Sequence, residues 1–261
     1  MQRKLNTRFL VILTIGVVAG LMVLVVGGRY LFRGTADKHL KMAELYTREN
    51  RLADAAEEYK TAISLDRRNP ETFVKLGDVM RSLTRTDPMM VDKDKQYWIM
   101  ALEVDPTYLP AMQLLLNAYI EDAQLWPQPQ MFERLRDICN RILAVDPNDP
   151  RAKAQLHMSW LQRWIFGVET PSDQIKESMR ELKNIQEKEP SNIDVPFVLA
   201  RAKIKQASDL LAQDRREDAD AGLGRGDEGA EGIMEQVILA NPDNSLAHLR
   251  QGQVLIEIAA V

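Results

Sequence analysis

One cysteine in 261 residues, Cys139, leaves no internal disulfide and no multi-cysteine zinc site. The three histidines, His39, His157 and His248, are far apart in sequence, with no acid or cysteine at metal-ligand spacing, so no metal is expected and they read as packing or surface residues. Acids are missing from residues 1–34, which carry Arg3, Lys4, Arg8, Arg29 and Arg33. Those five charges are part of the net −4, so residues 35–261 hold −9. No nucleic-acid partner is expected of so acidic a chain, because a phosphate backbone calls for dense basic surface.

What is present begins with an uncharged run. From Phe9 to Gly28, FLVILTIGVVAGLMVLVVGG has Thr14 as its sole polar side chain. At about 1.5 Å per residue a helix of this length is roughly 30 Å, the thickness of a bilayer's hydrocarbon core. The bulky RYLFRG that follows does not resemble a cleavage site. We therefore expect residues 1–8 to form a short basic tail and 9–32 an uncleaved transmembrane anchor, with membrane contact through 9–28. The short tail favours the cytoplasmic side and places residues 35–261 on the periplasmic face of a bacterial inner membrane; the basic flank after the run argues the reverse. Gly16, Gly20 and Gly27 form a small-residue stripe able to dimerise two anchors, although glycine is also common in membrane helices generally.

Beyond the anchor a phrase recurs: SLDRRNPET, EVDPTYLPA, AVDPNDPRA, EKEPSNIDV and LANPDNSLA. Aligned, Arg67, Pro106, Pro147, Pro190 and Pro242 stand in register at spacings of 39, 41, 43 and 52. Proline disfavours helix in the residue before it and suits the first turn of a new one, so each phrase reads as a joint, with Asp149 capping the helix that Pro150 starts. Each interval holds two amphipathic segments, and periods of this size predict a helical solenoid. In the first, Ala43, Ala55 and Ala62 mark close helix crossings, with Met42, Tyr46, Leu52, Tyr59, Ile63 and Leu65 as larger bodies.

On these residues, and on Phe73, Leu76, Gly77, Trp98, Ala101 and Leu102 in the second interval, the sequence resembles the tetratricopeptide repeat (TPR) family. The resemblance implies an all-α fold, a TPR-like right-handed superhelix over residues 35–261, here preceded by the anchor. Repeats are expected near 36–69, 70–108, 109–149, 150–192 and 193–244, with a partial sixth at 245–261. After the first repeat the helix-to-helix connections lengthen; the last, within 213–231, is expected to be a disordered loop. The sixth copy offers Gly252 at a close-packing position and then an apolar run. That suggests a fragment of a longer chain, or another body covering Val254, Leu255 and Ile258.

No catalytic constellation is found. Gly224-x-Gly226-x-x-Gly229 mimics a dinucleotide fingerprint, but no strand precedes it, so it reads as chance, as does the adhesion-like Arg225-Gly226-Asp227. Cys139 falls on an inward helix face and reads as a buried thiol. We expect no enzyme activity and no cofactor. The TPR resemblance implies that first helices line a concave groove for a peptide or helix of a protein partner. The groove positions expected are Leu40 and Glu44; Val74, Lys75 and Asp78; Gln113 and Asn117; Gln155 and Met158; Phe197 and Arg201. The lysines and asparagines that clamp a C-terminal carboxylate in one subset of the family are replaced here by Leu40, Glu44, Lys75, Pro110 and Leu114, so that specificity is not expected. Trp160 and Trp164, one turn apart in WLQRWIF, suit either core packing or a docking ridge. The resulting expectation is a membrane-anchored scaffold. Its alternatives are the repeat region of an enzyme whose catalytic domain lies beyond residue 261, and an assembly subunit joined as a homodimer through the anchor glycines.

Overall fold

Alternation of apolar residues at helical spacing, broken at the recurrent phrases, produces helices across the described residues. The computed structural model describes residues 17–18, 35–84 and 92–261, and no strand occurs among them. The chain divides into two compact units, one ending at Leu115 and the other running from Leu116 to Val261.

The first unit contains α1 (residues 35–48), α2 (Leu52–Leu65), α3 (Pro70–Thr84), α4 (Lys93–Val104) and the start of α5 (Leu109–Leu125). Helix α3 packs against both α2 and α4. Ala43, Ala55 and Ala62 are buried, as their small size at the crossings predicts, around Tyr59, Leu76, Val79 and Met80. Gly77 permits the tightest approach: a Cβ there would strike the indole of the fully buried Trp98 on α4.

The second unit contains the rest of α5, then α6 (Pro129–Val145), α7 (Pro150–Ile165), α8 (Ser172–Lys188) and α9 (Asp194–Leu211). It closes with α10 (Arg216–Leu223), α11 (Ala230–Ala240) and α12 (Ser245–Ala259). Helix α9 is central and packs against α7, α8, α10, α11 and α12, burying residues 195–200, Ala202, Ile204 and Ala207.

Two kinds of corner join the helices. At α1–α2 and α9–α10, Asn50 and Asp214 adopt left-handed backbone, and Gly167 does so after α7. Each follows the same pattern: Arg51 N donates to Tyr46 O at 2.8 Å, Val168 N to Arg163 O at 3.1 Å and Arg215 N to Leu210 O at 3.0 Å. These bonds satisfy carbonyls that a helix end would otherwise leave unpaired. At three of the five recurrent phrases an extended aspartate ends the helix. Its carboxylate accepts from the backbone two residues on: Asp66 from Arg68 N at 3.0 Å, Asp105 from Thr107 N at 2.9 Å, Asp146 from Asn148 N at 3.0 Å. Asp149 then caps α7, accepting from Ala152 N at 2.7 Å.

Three expectations are corrected. The single-pass membrane location is overturned: among the described residues no helix is long and apolar enough to cross a membrane. The 18-residue α9, for example, carries Arg201, Lys203, Lys205 and Asp209 along its length. The segment 9–32, with Gly16, Gly20 and Gly27, lies outside the described residues apart from 17–18. Within 213–231, helix α10 stands where a disordered loop is expected; Ala219 is fully buried and the helix packs on α9, so one apolar contact face outweighs the charged composition. Of the residues expected to need an outside cover, Val254 is buried and Ile258 packs against the unit's own core, leaving Leu255 exposed.

Candidate functional site

Helical spacing brings Gln155, Met158 and Gln162 of α7 to one face, and Phe197 and Arg201 of α9 to another. In the second unit these faces meet in a cleft of about 160 Å³. Ile120 and Gln124 of α5, Pro127 just beyond it, Phe132 of α6, Phe166 after α7 and Arg250 of α12 complete the wall. The neighbouring Leu125 and Trp126 are more than two-thirds exposed, forming an apolar knuckle beside Gln124 and Pro127.

Aromatic rings and guanidinium groups alternate along the cleft. Phe132 and Phe166 stack with centroids 5.5 Å apart. The Arg201 guanidinium stands 5.6 Å from the Phe166 centroid and 5.7 Å from that of Phe197, while its Nε lies 2.9 Å from Glu257 Oε1. Arg250 lies 4.2 Å over Phe197, donates to Gln253 Oε1 at 3.1 Å and approaches Asp194 Oδ1 only to 3.9 Å. Its buried Nε has no hydrogen-bond partner among the described residues. The wall can therefore bury an apolar side chain between rings, and three glutamine amides supply paired donors and acceptors for extended backbone.

Four of the groove positions expected from sequence, Gln155, Met158, Phe197 and Arg201, line this cleft together. Asn117, on the α5 half of the same unit, is half-buried with its Oδ1 unpartnered among the described residues. The remaining six lie in the first unit. Lys75 bridges Glu44 at 2.7 Å and Glu71 at 2.8 Å. The hydrogen bond from Lys75 holds the Glu44 carboxyl below its usual range. Burial works to lower Lys75, but its two glutamates outweigh that and raise it. Asp78 is exposed at the surface of α3, and the partial desolvation it still feels raises its carboxyl. Leu40 is half-buried against the α1–α3 core and Gln113 is exposed. Val74 is corrected: at 8% exposed it is packed into the core of the first unit.

Phe132, Gln162, Phe166 and Arg250 escape the sequence reading. Gln162 carried a signal, being one turn beyond Met158 on the same stripe; Arg250 belongs to a helix read only as an incomplete repeat.

The other singled-out residues are structural. Arg136 lies 3.9 Å over Trp160 and Trp164 packs on the core, so the tryptophan pair is packing rather than a ridge. Burial lowers the Arg136 pKa, with Arg163 as a like charge nearby. His39, expected to have no acidic partner nearby in sequence, meets Glu58 of α2 at 2.6 Å; His157 lies 3.3 Å from Ser178 Oγ and His248 lies 2.7 Å from Pro242 O. Cys139 is fully buried and its thiol is pushed up to about 12 by burial, with Asp149 adding to it, as befits a packing residue. The glycine motif folds the 224–232 loop onto itself. Side chains at Gly229 and Gly232 would collide with the backbone of Gly224 and Gly226, and Arg225 pairs with Glu231 at 2.8 Å. Among the described residues no cluster of three or more His, Cys, Asp or Glu could hold a metal ion.

These features describe an all-α protein of stacked antiparallel helix pairs, with an aromatic and cationic cleft in its second unit. Residues 43–82, from within α1 to near the end of α3, match the model of the TPR repeat family. Among solved structures, the MamA RS-1 ArsTM double mutant is similar at 13% identity and a TM-score of 0.50, covering 80% of this chain and 97% of that one. YrrB, a TPR protein with an unusual peptide-binding site, aligns at 17% identity and a TM-score of 0.48 over 82% and 90% of the two chains. TTC0263, a thermophilic TPR protein of Thermus thermophilus, does so at 13% and 0.38 over 85% and 99%. No curated protein matches the sequence. The family match and the fold together support the TPR family; at such identities the structures speak for fold alone.

Proposed function

We propose that this chain is a protein-binding scaffold and that the α5–α7–α9–α12 cleft is the working surface of its second unit. The observation that carries this is the convergence of Phe132, Phe166, Phe197, Arg201 and Arg250 with three glutamines in one open recess. Aromatic and arginine side chains dominate binding energy at protein interfaces, and glutamines suit an extended backbone better than any single small-molecule shape. The partner is therefore a peptide segment that places one apolar side chain between the rings. The peptide-binding site named for the structurally similar YrrB agrees with this reading without carrying it.

A photo-crosslinking amino acid at Gln162, introduced in the cell, tests the reading. It should yield discrete adducts with another protein, and those should vanish when Phe197 is changed to alanine. The same probe at Glu177, exposed on α8, should yield none. Equal labelling at the two positions, or adducts indifferent to Phe197→Ala, would sink the proposal.

A further inference from the structure

We propose that a recess on the far side of α9 from the cleft is a second site, and that it takes a small amphipathic carboxylate, an anionic head on an apolar chain of medium length. Phe197 and Arg201 of the cleft form one stripe of α9; Leu199 and Lys203, two residues out of step with them, form the opposite one. Helices α8 and α11 both pack on α9, and between them they leave about 780 Å³ open above that stripe. The recess is larger than the cleft and of the size that holds small molecules.

Its charges gather at one end. Lys183 of α8 reaches Glu228, two residues before α11 starts, at 2.7 Å. Lys203 lies along the same rim, since it and Glu228 also line a neighbouring recess of about 410 Å³. Arg180, one turn before Lys183, belongs to that end as well. Three cations from two helices thus converge where α11 begins, against Asp227 and Glu228 of the loop. Asp227 already accepts from Gln236 Nε2 at 3.2 Å, and Glu187 stands one turn beyond Lys183, toward the other end. Lys203 is half-buried, with no ion pair or hydrogen bond among the described residues. One positive charge is left without a counterpart, which suits a monoanion. The Glu228 carboxylate marks where that anion sits: the bond from Lys183 holds it below its usual range, and Lys203 lowers it further. Being exposed and on a loop, it can give way to the carboxylate of a ligand.

Beyond the cations the walls turn apolar, with Leu199 of α9, Val237 and Ala240 of α11 and Pro190 after α8. Leu199 and Val237 are buried and close the floor. Contact with a ligand therefore comes from the exposed Pro190 and Ala240, the half-exposed Met179 and the aliphatic stems of the lysines. From Ile233 to Ala240 the helix rises about 10 Å, the reach of octanoate. A chain laid there covers little apolar surface, so binding is weak, with a Kd of roughly 0.1–1 mM, and the head group decides its place.

Photoaffinity labelling of the full chain tests this. A medium-chain carboxylic acid carrying an alkyl diazirine should label residues within 179–190 or 233–240. Excess octanoate should suppress those adducts, whereas octanol, of equal length and without charge, should not. Lys203→Gln should cut the labelling by roughly fivefold or more. Glu228→Gln, which removes the resident competitor, should raise it about twofold. Glu177→Gln, the same change of charge at an exposed position of α8 outside the recess, should leave it unaltered. Octanol competing as well as octanoate would mean a greasy surface with no head-group site. Labelling indifferent to both Lys203→Gln and Glu228→Gln would mean that the lysines recognise nothing. Either result overturns the proposal, as does labelling confined to residues outside those two segments.

Discussion

Replacing Gly77 with alanine pits two effects of known sign against each other. In a helix interior alanine is favoured over glycine by about 1 kcal/mol. At this position, however, the new methyl would run into the Trp98 indole and come within 3.1 Å of the Asp94 carbonyl. Trp98 is fully buried, so its indole can yield only by displacing neighbours in the core. Overpacking of this kind costs about 1–3 kcal/mol, so Gly77→Ala should destabilise α3 and α4 by up to about 2 kcal/mol. In a Trp98→Leu background the indole obstruction is gone and only the close Asp94 carbonyl remains, so the same substitution should be neutral or stabilise by up to about 1 kcal/mol. The difference, a coupling of about 1–3 kcal/mol, is the quantity to measure. Stacked helix pairs need not unfold as one unit, so hydrogen exchange of α3 and α4 amides is the suitable assay. Gly77→Ala that raises protection equally in both backgrounds would refute the close-packing argument.

Three further outcomes follow from the electrostatics and burial. The Glu44 carboxyl is lowered and Lys75 raised, so their pairing contributes fully between the unfolded values of 4.5 and 10.5; it is lost as pH falls through the lowered Glu44 value or rises through the raised Lys75 value. Both are over a third exposed, so Lys75→Met should cost less than about 1 kcal/mol in urea unfolding, and less again at high salt. Cys139, with its thiol near 12, should resist thiol reagents at pH 8 in the folded protein and react at once in denaturant; fast native labelling would contradict its burial. Burial lowers the His157 pKa, so the unfolded chain takes up this proton first as pH drops below 6.5, and stability should fall there; an NMR titration placing His157 above 6.5 would reverse the sign.

The joints were legible in sequence because they are local chemistry. An aspartate accepting from a backbone amide two residues on, or a proline opening a helix, needs no distant neighbour. The alanine crossings of α1 and α2 were legible for a related reason: small residues at helical spacing mark close approach wherever the partner comes from. Val74 was not, since its burial depends on which face of α3 its neighbours cover, and one residue's rotation separates groove from core. Arg250 was missed because only tertiary folding carries α12 against α9, where Phe197 and Asp194 receive it. Helix α10 was hidden by its charges; the single stripe that includes Ala219 suffices once α9 is there to pack on.

The charges of the cleft make its own prediction. Arg201 is held by Glu257 at 2.9 Å, and Arg250 has Asp194 at 3.9 Å and Phe197 beneath it. Each cation thus already has an anion of the same chain, and a bound segment gains little net Coulomb energy by adding another. What the cleft has to give is ring surface, mainly from the half-exposed Phe166 with the edge of Phe197 beside it, and desolvation of a side chain placed against them. Charge-driven association weakens steeply as salt shortens the screening length, whereas burial of apolar surface does not. The yield of Gln162 adducts in extract should therefore change by less than about threefold between roughly 50 and 500 mM salt, while Phe197→Ala abolishes them. A fall of tenfold or more over that range, with Phe197→Ala tolerated, would mean that the arginines and not the rings recognise the partner.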